Sequence, residues 1–143
     1  KIDSLSAQEI YSRANEWFAI TFNSAQSVIQ MNDAEAKKII GKAEIQVFYG
    51  RSEAGKFLYT ISFFAKEGRY KYIITDIYHV GVPGTNYKSG GKIENEIPDC
   101  GKWTLPAKLW IKHKNKTEKH IQSLIRNLNQ YMNETNVLDD DNW

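Results

Sequence analysis

Residues Gly41 to Val80 read GKAEIQVFYGRSEAGKFLYTISFFAKEGRYKYIITDIYHV, and this stretch decides the architecture. Ala43, Ile45, Val47 and Tyr49 alternate with Lys42, Glu44 and Gln46, the period of two that marks a half-buried strand. Phe57, Tyr59, Ile61, Phe63 and Ala65 repeat the pattern, with Thr60, Ser62 and Lys66 on the opposite side. From Tyr70 to Val80 apolar residues occupy both parities, so the turn must orient the third strand. A two-residue hairpin at Glu67-Gly68 sets Lys66 opposite Arg69. Counting outward pairs Ala65 with Tyr70, Phe63 with Tyr72, Ile61 with Ile74 and Tyr59 with Asp76. The even-numbered residues of strand three therefore share the core face, Asp76 among them.

Working outward, the chain offers few constraints on function. Its 143 residues form one expected domain, 1–143, with a core over about 6–135. That length buries roughly 68–70% of its unfolded surface, enough for a core without staples. A net charge of +2 is too small to point to nucleic acid or an anionic membrane, so no nucleic-acid partner is expected. Cys100 is the sole cysteine, which excludes an intramolecular disulfide and a multi-cysteine zinc site. No apolar run reaches membrane-spanning length. The sequence starts at Lys1 without methionine, as a processed product or trimmed chain would, and a signal peptide would precede it.

On the N-terminal side, Ser6-Ala7-Gln8-Glu9 is a capping box. Ile10, Tyr11, Ala14, Trp17, Phe18 and Phe22 then line one helical stripe ending near Asn23, and Tyr11 and Trp17 read as core. Ser27 to Asn32 reads as a short strand with Ile29 and Met31 inward. Asn32 to Glu35 turns into the long strand from Lys38. Gly50-Arg51-Ser52-Glu53-Ala54-Gly55-Lys56 has phosphate-loop spacing. However, Phe57 follows where a Ser or Thr must hold magnesium, and it opens a strand where a helix is required. The reading is a polar hairpin, and no cofactor is expected.

On the C-terminal side, Gly81 to Pro106 is a long irregular loop, with Tyr87, Ile93, Ile97 and Trp103 available to pin it. A helix follows from about Thr117 to Glu134, or from near Ala107. Ile121, Leu124, Ile125, Leu128, Tyr131 and Met132 form its apolar stripe. Lys108, Lys112, Lys114, Lys116 and Lys119 around Trp110 read as a solvated helix start. Residues 136–143 read as a flexible tail, and Asp139-Asp140-Asp141 lacks the spaced ligands of a calcium loop.

Several spaced motifs carry a resemblance. They are Glu9-x-Tyr11-x-x-Ala14-x-x-Trp17, Ala25-x-x-Val28-Ile29, Ile40-Gly41-Lys42, and Gly68-Arg69-Tyr70-Lys71-Tyr72 through Asp76-Ile77. Over about Ser6 to Val80 the chain resembles a bacterial domain of unknown function with a TBP-like fold, found in secreted and envelope-associated proteins of gut bacteria. The resemblance implies α+β architecture: a curved antiparallel sheet of four to five strands with two helices packed on one face. Members usually have a strand before the first helix, for which only Lys1 to Leu5 is available here. The resemblance also implies an exported protein of the periplasm or cell envelope. It supplies no catalytic residues, and the fold name does not imply DNA binding.

Two functions fit. The first is a non-catalytic binding or adaptor module using the helix-free face. By the same register that face carries Phe48, Leu58, Phe64, Lys71, Ile73 and Ile77 among Lys42, Glu44, Gln46, Thr60 and Thr75. A charge-rimmed apolar group marks an interface with a protein partner or a second copy of the chain, unless the loop around Trp103 or the tail covers it. The second is an enzyme, hydrolytic or otherwise, with a site near Asp76, His79 and the 81–106 loop. His113 and His120 lie seven apart without a third ligand, so no metal is expected. The binding module is the preferred reading, with no catalytic residue assigned.

Overall fold

A computed structural model of the chain describes residues 2–22 and 29–134. A 3-10 turn, Ile2–Ser4, precedes helix α1, Ala7–Thr21. Strands β1 (Ile29–Asp33), β2 (Lys38–Tyr49), β3 (Ser52–Lys66), β4 (Arg69–Val80) and β5 (Gly91–Lys92) follow, then helix α2, Ala107–Asn133. The strands make one antiparallel sheet in the order β1-β2-β3-β4-β5. Burial along β3 alternates from Phe57 to Ala65, with every odd residue buried and every even one half-buried. The covering layer therefore lies on one side of the sheet. No helix among the described residues is long and apolar enough to cross a membrane.

The chain divides into two compact units. The first draws on the described parts of Lys1–Gly41, Ser62–Ile73 and Ser123–Trp143, the second on Lys42–Ile61 and Ile74–Gln122.

In the first unit the capping box forms as expected. The Glu9 N–H donates to Ser6 Oγ at 3.1 Å, and the Ser6 N–H donates to the Glu9 carboxylate at 3.2 Å. Helix α1 buries Ile10, Tyr11, Ala14, Trp17 and Phe18 and stops at Thr21. Trp17 Nε1 donates to Asn127 Oδ1 at 2.8 Å, and Arg13 donates to the Met132 carbonyl at 2.8 Å, so α1 is tied to the end of α2. One expectation fails in β1. Its register against β2 shifts between Ile29 and Met31, and the slip leaves Met31 47% exposed. The expected strand residues before Ile29 and the tail lie outside the described residues.

In the second unit Gly50-Arg51 is the tight turn, with Gly50 at φ +61°, and β3 already begins at Ser52. Lys56 therefore sits in a strand, ion-paired to Glu44 at 2.9 Å, where a phosphate loop would start a helix. Tyr49 lies at the strand end and is exposed. Val47, Ala54, Phe57, Leu105 and Trp110 form the core cluster, with Tyr87, Ile93 and Cys100 from the loop packed on it. Ile97 and Trp103 pin nothing; Trp103 is fully exposed. Helix α2 takes the earlier of the two expected starts. Its lysines Lys108, Lys112, Lys116 and Lys119 are exposed, but Trp110, His113 and Thr117 are buried, which corrects the picture of a wholly solvated start.

Candidate functional site

The second unit holds a hollow of about 560 Å³ against the sheet surface opposite the buried side chains of β3. Lys42 of β2, Leu58 and Thr60 of β3, and Asp76 and Tyr78 of β4 line it, with Lys92, Glu94 and Asp99 along its rim. The odd neighbours of Leu58 and Thr60 are buried, so the pleat aims these two even residues outward into the hollow.

Asp76 reaches the hollow through its backbone. Half-burial follows the even residues Tyr70, Tyr72 and Ile74, as the hairpin count requires, and then stops. At Asp76 φ is +54°, and beyond it the alternation resumes one residue out of phase. This is the signature of a local irregularity that re-aims side chains. Asp76 is therefore exposed, not pointed at Tyr59 in the core. Tyr59 is buried in the core, and burial pushes its hydroxyl up to about 12. The same step packs Ile77 against the Val47–Phe57–Trp110 cluster while it still lines the hollow, and it exposes Tyr78 there as well.

Among the described residues, the side chains of Lys42, Asp76, Lys92 and Glu94 make no hydrogen bond or ion pair. Asp99 accepts from Asn95 Nδ2 at 3.0 Å. Two ammonium groups and three carboxylates thus share one hollow with no ion pair among them.

His79 lies elsewhere. It is 1% exposed, and Nε2 meets the Ala54 carbonyl at 2.9 Å while Nδ1 accepts the Gly90 N–H at 2.8 Å. An accepting Nδ1 carries no proton, so Nε2–H is the donor to Ala54 and the ring is neutral. Burial lowers its pKa, with the Ala54 bond opposing. Asp76 thus lines the hollow, whereas His79 is buried with both ring nitrogens already bonded. His113 and His120 do lie on one face of helix α2, two turns apart, but His113 is buried and His120 exposed. The Cys100 thiol is raised by burial, which keeps it protonated.

The remaining expected site residues divide between the units. Phe48, in the second, is 40% exposed with the Lys116 ammonium 5.1 Å from its ring centre. Phe64, Lys71 and Ile73 are in the first. There the Lys38 and Lys71 ammoniums lie 5.4 and 5.0 Å from the Phe64 ring, and Ile73 is 45% exposed.

Compared with known families, residues 1–79 match the model of the domain of unknown function DUF4468 with TBP-like fold. That is more than half of the chain. The protein belongs to the DUF4468 family. Its fold is similar to a TBP-like protein from Parabacteroides distasonis ATCC 8503, with TM-score 0.65 at 16% identity over 92% of this chain and 86% of that one. It is also similar to a DUF4468 family protein from Bacteroides ovatus ATCC 8483, with TM-score 0.64 at 14% identity over 96% and 84%. No curated protein matches. The motifs that carried the resemblance, Glu9 to Ile77, fall inside the DUF4468 match. Lys92, Glu94 and Asp99 fall beyond it, so the family pattern covers the floor of the hollow and not its rim.

The rim was not legible in the sequence. Lys92, Glu94 and Asp99 sit in a polar stretch with no periodicity, and long-range pairings such as Tyr78 with Lys92 and His79 with Gly91 bring them to the sheet.

Proposed function

We propose that this DUF4468 chain is a non-catalytic binding module of an exported bacterial protein, and that the hollow takes an extended peptide segment of a protein partner. The observation that carries the reading is the set of unpaired charges of both signs in one recess. Carboxylate and ammonium groups left without partners favour a ligand that brings both. Thr60 and Tyr78 add hydroxyls, and Leu58 gives an apolar floor. Small binding recesses combine an apolar base with a few polar groups in this way.

The test is to pan a displayed random-peptide library on the purified chain and measure enriched peptides by fluorescence anisotropy. Asp76→Asn and Lys92→Gln should each weaken binding by about tenfold or more, the scale of one lost charged hydrogen bond. No enriched peptide, or affinities indifferent to both substitutions, would overturn the reading.

A further inference from the structure

We propose that His79 and His113 are positioning residues for the rim of the hollow, and that protonating them releases it. The inference rests on the hollow being the binding site, and it assigns that site a control by acid.

The geometry begins at Gly90. Its N–H is held by His79 Nδ1 at 2.8 Å, and its carbonyl accepts from the Asp99 N–H at 2.8 Å and from Asn95 Nδ2 at 3.3 Å. Gly90 is therefore the knot between the buried histidine and the rim. No other residue fits there, because a Cβ would stand 2.5 Å from the Trp110 ring. Trp110 Nε1 and Lys114 Nζ both donate to the Asn95 carbonyl, at 2.8 and 3.1 Å, closing the knot from α2.

The knot needs a neutral imidazole. A proton on Nδ1 would set two donors, Nδ1–H and the Gly90 N–H, against each other in a buried place. The surroundings offer the cation no relief. From α2, His113 stacks on His79 with centroids 6.0 Å apart and planes 11° from parallel, and Trp110 meets it edge-on at 6.0 Å. From β3 come the Phe57 ring and the Ala54 carbonyl, already bonded. From the loop comes the Gly90 N–H. Lys112 and Lys116 add positive charge around His113, whose Nε2 is buried without a partner. Two stacked imidazoles among lysines cannot both charge in place, so they titrate as a coupled pair.

The sign follows. Burial first, then His79, Lys116 and Lys112, lower His113 to about 4 from the ordinary 6.5, and His79 is lowered as well. A histidine with a depressed native value supports the closed form above 6.5, and that support is lost as pH falls from 6.5 toward the native value. Each histidine contributes up to about tenfold per pH unit to opening across that window.

Amide hydrogen exchange by NMR tests this without any ligand, so it can fail while the peptide reading stands, and the reverse. After correction for intrinsic exchange, the opening constant at Gly90 and Asp99 should rise roughly tenfold or more between pH 6.5 and 5. The amide of Ala14 in α1 should stay protected. His113→Phe keeps a stacked ring that cannot titrate, and should retain protection at pH 7 with a shallower rise. His79→Phe should expose Gly90 at every pH. A flat wild-type profile, an equal rise at Ala14, or an unchanged slope in His113→Phe would overturn the proposal. If His79→Phe does not fold, His113→Phe decides alone.

Discussion

Asp76 stands at φ +54° inside a strand, where an L side chain meets the following carbonyl and loses roughly 1–2 kcal/mol. Aspartate and asparagine tolerate that region better than most residues, and glycine enters it freely. The angle changes which side of the strand every later residue serves: His79 becomes buried, Tyr78 exposed, and the carboxylate enters the hollow. Strain of this kind gathers at functional positions. Three substitutions separate the angle from the charge. Asp76→Asn should leave the melting temperature nearly unchanged while removing the charge. Asp76→Gly should hold or raise stability, and Asp76→Ala should be about 1–2 kcal/mol less stable than Asp76→Gly in urea unfolding. Equal stability of the alanine and glycine variants would show that the backbone relaxes and stores nothing at this position.

At the scale of elements, β3 carries the fold, because its odd side chains fill the core in both units. Ile61 is 1% exposed, so Ile61→Ala should cost about 2–5 kcal/mol through lost transfer energy and a residual cavity. Its neighbour Thr60 points outward, and Thr60→Ala should stay within about 0.5 kcal/mol. Comparable losses at the two sites, measured by denaturant unfolding, would contradict the alternation. This strand was legible because one face is apolar and the other is not, and the start of α1 was legible because the capping box is local chemistry. The far half of β4 was not. Apolar residues at both parities leave its phase to a backbone angle that no neighbouring residue announces. The start of α2 was half-legible. Trp110, His113, Thr117, Ile121, Leu124, Leu128 and Met132 recur at helical spacing, but two polar members and the surrounding lysines hide the stripe. The hollow was less legible still. Lys42 and Thr60 lie on the expected face, whereas Lys92, Glu94 and Asp99 arrive through a loop whose fastening, His79 to Gly90, joins residues 11 apart in sequence.

For the whole molecule the question is whether a partner or a second copy meets the outward residues of the first unit. Phe64 there lies beneath the Lys38 and Lys71 ammoniums, and a shallow recess of about 340 Å³ beside it is lined by Lys66, Arg69, Tyr70 and Lys71. Glu67 in the adjoining turn is the nearest acid in sequence. A two-fold dimer sets each patch against its own copy, so these cations would face cations, and like charges at close range oppose association. The net charge of +2 adds to that repulsion. An acidic segment bearing an apolar side chain would complement both Phe64 and the lysines, which a second copy of the same patch would not. Sedimentation across a range of concentrations at low salt should therefore show a monomer. Phe64→Glu with Ile73→Lys should leave the melting temperature within a few degrees, as expected for exposed positions. A low-salt dimer that this double change dissolves would reverse the conclusion and make the face a self-complementary interface.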